Sequence, residues 1–126
     1  MKKCIYRLMV LAVMVLAMCA GAFAVDEAEI TINAVNFPDE NFRSYVSSKF
    51  DTDNSGGLIA SEIASATRID VTNSSISSLK GVEFFTALTY LYCTRNQLTT
   101  LDVSKHTALT YLECRGNQWT TLDFQQ

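Results

Sequence analysis

Leu88-Thr89-Tyr90-Leu91-Tyr92-Cys93-Thr94-Arg95-Asn96-Gln97-Leu98-Thr99-Thr100-Leu101-Asp102 returns as Leu109-Thr110-Tyr111-Leu112-Glu113-Cys114-Arg115-Gly116-Asn117-Gln118-Trp119-Thr120-Thr121-Leu122-Asp123. The shift is 21 residues at every matched position. A third copy lies upstream: Ala66, Ile69, Val71, Ser74, Ile76 and Leu79 match Leu88, Leu91, Cys93, Asn96, Leu98 and Leu101 at a shift of 22. Val82 and Leu88 match Val103 and Leu109 at 21, so the extra residue sits in the return segment. Ser74 stands at the Asn position. A fixed period this short reads as stacked coils, because one unit cannot bury its apolar side without a neighbour.

Leu91 and Cys93 alternate with Tyr90, Tyr92 and Thr94, which puts the two sets on opposite faces of a short strand. Stacking predicts parallel strands at 68–72, 90–94 and 111–115. The inward columns are then Ile69/Leu91/Leu112, Val71/Cys93/Cys114, Ile76/Leu98/Trp119 and Leu79/Leu101/Leu122. The outward columns are Arg68/Tyr90/Tyr111, Asp70/Tyr92/Glu113 and Thr72/Thr94/Arg115. Asn96 and Asn117 sit where the chain leaves the strand, and an amide can donate and accept to backbone groups there. The return segments, 80–87 and 102–108, read as irregular or single-turn connections with Val82 and Val103 inward and the polar residues, His106 included, in solvent. The rhythm LxxLxCxxNxLxxL is that of a leucine-rich repeat. The fold class is therefore α+β: a short leucine-rich repeat solenoid behind a helical cap.

The third unit stops at Gln126, with Trp119 in place of Leu98 and Phe124 in place of Val103. Larger rings covering an open end and a truncated gene both account for this. An uncovered repeat edge would invite self-association.

The first 24 residues read as a secretory signal: Lys2, Lys3 and Arg7, an apolar run from Leu8 to Ala20, and Ala22-Phe23-Ala24 as cleavage site. Leu16-Ala17-Met18-Cys19 partly resembles a lipobox, but Met18 occupies a small-residue position, so cleavage after Ala24 is the expectation. The three segments are then 1–24, a helical cap at 25–66 and repeats at 67–126. Residues 25–126 carry seven Lys/Arg and all thirteen Asp/Glu, a formal charge of −6. No basic patch points to nucleic acid. Cys93 and Cys114 share an inward column. Strand spacing of about 4.8 Å permits a disulfide on distance, but parallel side-chain directions favour free thiols that fill the core.

Asp51-Thr52-Asp53-Asn54-Ser55-Gly56-Gly57-Leu58-Ile59-Ala60-Ser61-Glu62 fits the twelve-residue EF-hand pattern for calcium. Asp51, Asp53 and Ser55 offer side-chain oxygens, Gly56 the sharp turn, Gly57 its carbonyl and Glu62 a bidentate carboxylate. Leu58 points into the core. Ser55 replaces a carboxylate, and Ile59 removes an oxygen at position nine, so a weak structural Ca2+ site is expected, on the order of 10⁻⁴–10⁻³ M. Helices are predicted at Pro38–Phe50, with Phe42, Tyr45, Val46 and Phe50 as its apolar stripe, and at Ser61–Ala66, with Ile63 and Ala66 inward.

Three stretches carry a family resemblance: Asn36-Phe37-Pro38-Asp39-Glu40-Asn41-Phe42-Arg43-Ser44-Tyr45-Val46, Ile76-Ser77-Ser78-Leu79-Lys80-Gly81-Val82, and the Asn-Gln-Leu-Thr-Thr-Leu-Asp-Val-Ser-Lys repeat. Together with the loop, they make 32–126 resemble secreted bacterial leucine-rich repeat proteins, similar in architecture to internalin-type solenoids. The resemblance implies a secreted or surface-exposed binding module for a protein or glycan. Family members usually continue for more repeats, and this chain departs from that pattern. Tyr90, Tyr92, Arg95, Tyr111, Glu113 and Arg115 are the candidate partner face, since Tyr and Arg are enriched at interface hot spots. A dockerin-like assembly module is a further reading, although such modules carry two calcium loops and this chain has one. A purely structural repeat fragment is another. No Ser/His/Asp grouping or phosphate loop suggests an enzyme.

Overall fold

The computed structural model describes residues 29–123. The expected signal segment, 1–24, and residues 25–28 and 124–126, Phe124 among them, lie outside them. No helix among the described residues is long and apolar enough to cross a membrane.

The cap opens with β1 (Ile30–Thr31), which pairs antiparallel with β2 (Gly57–Leu58). Between them runs α1 (Glu40–Phe50). It starts two residues later than the proline suggested. Asp39 is the true N-cap, its Oδ1 accepting from Phe42 N at 3.0 Å. The same carboxylate reaches out of the cap: Oδ2 accepts from Ser77 N at 2.9 Å and Ser77 Oγ at 3.0 Å. Burial pushes Asp39 up, but these donors outweigh it and hold the carboxyl below its usual value. Helix α1 buries Phe42 and Val46, with Tyr45 and Phe50 half-buried beside them. The second helix, α2 (Ala60–Ser65), is shifted by one residue from expectation. Ala66 is buried and Ile63 packs against the core.

Three coils follow. Strands β3 (Arg68–Asp70), β4 (Tyr90–Tyr92) and β6 (Tyr111–Glu113) form one parallel sheet, with Ile69, Leu91 and Leu112 in register. Each strand is shorter than the five residues read from the pattern. The first return contains a 3-10 helix, Val82–Phe84. Val82 and Val103 are buried as expected. A second parallel sheet pairs β5 (Thr100–Asp102) with β7 (Thr121–Asp123), in segments not predicted as strand. One continuous core runs from Phe37, Phe42 and Leu58 in the cap through Ile69, Leu91 and Leu98 to Val103.

The Asn positions work as a ladder. Asn96 Oδ1 accepts from Ser74 N and Ile76 N, both at 3.0 Å. Its Nδ2 donates to Val71 O at 2.8 Å and Cys93 O at 3.0 Å. Asn117 repeats this one coil on, accepting from Leu98 N and donating to Cys93 O. Trp119 is partly buried, and its indole N–H donates to Cys114 O at 3.0 Å.

Two expectations fail. His106 is fully buried, with Nε2 2.9 Å from Val82 O. Tight turns on both sides (His106 N to Val103 O, Leu109 N to His106 O) swing it inward. Thr94 is also buried, because the strand ends at Tyr92 and its carbonyl is drawn into the ladder by Asn73 N and Asn96 Nδ2.

Candidate functional site

The loop between α1 and α2 closes on itself through its own carboxylates. Asp51 Oδ1 accepts from Ser55 N and Oδ2 from Gly56 N, both at 3.0 Å. Gly56 makes this turn at φ +87°. Ser55 N is shared with Asp53 Oδ1 at 3.0 Å, and hydrogen bonding from Ser55 holds the Asp53 carboxyl below its usual value. Glu62 folds back over the loop. Its Oε1 accepts from Thr52 Oγ1 and Thr52 N at 2.7 Å, and its Oε2 from Ile59 N at 3.1 Å. Burial pushes Glu62 up, yet these three donors prevail and keep it low. Oxygens of Asp51, Asp53 and Glu62 lie within 4.8 Å of one another. Such a set suits a hard, oxygen-seeking cation. Gly57, on β2, is held by the β1 pairing, and Leu58 is fully buried.

One neighbour of this loop was not foreseen. Glu29 Oε1 accepts from Ser55 Oγ at 2.6 Å. It arrives there because β1 pairs with β2, a contact that nothing in the local sequence signals.

The strand face gathers all three aromatic candidates, Tyr90, Tyr92 and Tyr111. Tyr90 and Tyr111 are 43% and 45% exposed, although large and apolar. Their ring centroids lie 6.2 Å apart, and Tyr92 stacks at 5.1 Å from Tyr111. Charged neighbours are paired within the face: Arg115 with Glu113 at 2.9 Å, and Arg68 with Asp70 at 3.5 Å. The Arg68 guanidinium also lies 4.4 Å over the Tyr92 ring. Arg68 and Asp70 belong to this surface but were not among the candidate site residues, although their place in the outward columns marked them. Arg95 is exposed but stands past the strand, at φ +57°.

Cys93 and Cys114 are free thiols in adjacent coils, the first buried and the second half-buried. Burial, with Cys114 beside it, pushes the Cys93 thiol up to about 12.

A 70-residue stretch, 56% of the chain, is 45% identical to internalin J of Listeria monocytogenes serotype 4b and, equally, to its serovar 1/2a counterpart. The solved functional domain of that protein, which includes a cysteine ladder, superposes with a TM-score of 0.67 at 40% identity. That match covers 77% of this chain. This is an internalin-like leucine-rich repeat protein of the bacterial type. Internalin C2 of L. monocytogenes shares the fold at a TM-score of 0.63 and 20% identity, covering 82% of the chain and 51% of its own. The internalin-like chain spans only 8% of the length of the internalin J relatives and 21% of the solved domain. No family model matches it.

Proposed function

We propose that this internalin-like chain is an exported recognition module, and that its strand face binds a protein or glycan at the bacterial surface. The observation that carries this reading is the cluster of Tyr90, Tyr92 and Tyr111, held half in water on rigid paired strands. Rings fixed by a sheet lose little freedom on binding, and paired charges around them leave aromatic area as the main contact. Replacing Tyr90 and Tyr111 together by Ser removes two rings that are nearly half exposed and lie outside the hydrophobic core. Labelled double variant will lose retention on immobilised cell-surface extract while its melting temperature stays within a few degrees of the parent. Equal retention of both proteins would move the site off this face.

Calcium supports the module from the cap. Asp51, Asp53, Ser55, Gly57 and Glu62 would hold the ion, bracing the loop between α1 and β2. With a dissociation constant of about 10⁻⁴–10⁻³ M, 10 mM calcium adds roughly 1.5–2.5 kcal/mol to the folded state. For a domain this size that is on the order of 5–15 °C in melting temperature. Glu62→Gln will abolish the calcium-dependent increment, measured as the difference between calcium and chelator melts of the same variant. An increment of the same size in the variant, or none in the parent, overturns the site.

A further inference from the structure

The two seams between coils differ on their second side. Between coils two and three, β5 and β7 run parallel and in register. Coil one does not extend in the same way beside β5. Ser78 Oγ accepts from Lys80 N at 3.2 Å, Leu79 O accepts from Val82 N at 2.9 Å, and Gly81 turns the chain at φ +105° into the 3-10 helix. A cleft of about 310 Å³ opens there, with Leu79, Lys80 and Val82 on one wall and β5 and Lys105 on the other.

Strand β5 therefore has one edge taken and one open. Thr99 O accepts from Thr120 N at 2.8 Å on the coil-three side. Successive residues of a strand aim their N–H and C=O at opposite edges, so Thr100 and Asp102 present theirs to the cleft. Among the described residues, no hydrogen bond from coil one reaches those groups. The floor is apolar, made by buried Leu79, Val82 and Leu101. Both carboxylates in the cleft are turned to their own chain: Glu83 Oε2 accepts from Gly81 N, and Asp102 Oδ1 from Ser104 N. Lys80 and Lys105 make no direct ion-pair contact among the described residues, although Lys105 adds to the Ser104 hydrogen bonds in holding the Asp102 carboxyl low.

We propose that this cleft is a strand-addition site, taking an extended segment of a protein partner against the free edge of β5, with an acidic side chain between Lys80 and Lys105. Donors and acceptors alternating at strand spacing are matched by another extended backbone, and apolar alternate side chains fit the floor. The site is separate from the tyrosine face and stands or falls independently of it.

The probe is a blocked heptapeptide of alternating valine and glutamate, added to the ¹⁵N-labelled full chain. It will shift the amide signals of Thr100 and Asp102 saturably and slow their exchange. A valine–lysine peptide, and the double variant Lys80→Glu/Lys105→Glu with the original peptide, will each bind at least about tenfold more weakly. Thr100→Pro removes the cleft-facing N–H at an edge that tolerates proline, and will likewise cost at least about tenfold. If that variant is unstable, methylating alternate amides of the peptide tests the same bonds without touching the protein, and must abolish binding. Unmoved Thr100 and Asp102 signals overturn the proposal. So does undiminished binding of the methylated peptide, or a response confined to Tyr90, Tyr92 and Tyr111.

Discussion

Asn96→Ala will lower the stability of the chain by about 3–5 kcal/mol, the sum of several backbone groups left buried without partners at about 1–3 kcal/mol each, discounted for relaxation. The side chain is only 7% exposed. It satisfies Ser74 N and Ile76 N in the preceding coil, and Val71 O, Cys93 O and Thr94 O around the turn. Alanine supplies none of these; Cys93 O keeps Asn117 Nδ2 and Thr94 O keeps Asn73 N, so Ser74 N, Ile76 N and Val71 O are the groups left without their partner. Against a typical total of about 5–15 kcal/mol, the loss is a large fraction of the stability. Asn96→Asp keeps the two accepted bonds but turns a carboxylate oxygen onto the carbonyls of Val71, Cys93 and Thr94, so it should cost at least as much as alanine. Asn117→Ala, at a half-buried position, will cost less. Urea denaturation of the three variants checks the order. An Asn96→Ala midpoint equal to that of Asn117→Ala would remove the ladder from the account of stability.

Phe37→Ala will cost about 3–5 kcal/mol as well, here through a cavity. The Phe37 ring is fully buried, with centroids 6.0 Å from Phe42, 5.7 Å from Phe84 and 6.4 Å from Phe85. Phe85 continues the contact to Phe50 at 5.0 Å, and Phe50 to Tyr45 at 5.9 Å. These rings join the cap to the first return segment. Gly81 is part of the same joint. A Cβ there would collide with the Phe37 ring and lie 2.6 Å from the Asn36 carbonyl, so no side chain can back-fill from that position. Because the joint is shared, the melt of Phe37→Ala should remain one transition, displaced by on the order of 15–25 °C. A split melt, with the repeat transition where the parent has it, would show that cap and coils fold independently.

The columns of the solenoid could be read from the residues because a fixed period lets three copies correct one another. Ile69, Leu91 and Leu98 each had a counterpart that confirmed which way they face. The second sheet escaped, although Thr100, Leu101 and Asp102 show the same out-in-out exposure as β3. Their repetition at 121–123 was visible, but a segment beginning a return was assumed to be irregular. His106 escaped for a different reason. Its type argued for solvent, whereas its place was decided by the turns at Val103 and Leu109 and by a buried carbonyl, Val82 O, within reach of its ring. The loop carboxylates were legible because they are contiguous, and their spacing alone brings them together. Glu29 enters its site through strand pairing between distant segments, which local spacing does not encode.

Every amide rung in this structure serves the coil before its own. Asn96 completes the turn of the first coil and Asn117 that of the second. As the polypeptide leaves the ribosome, each newly wound coil thus waits, with its turn unfinished, for the next one to emerge. A gene duplication of 21 codons would deliver a unit already equipped to clasp whatever precedes it. Lengthening such an array therefore needs no change to the coils in place, and the folding of nascent chains should advance as a zipper from the cap outward.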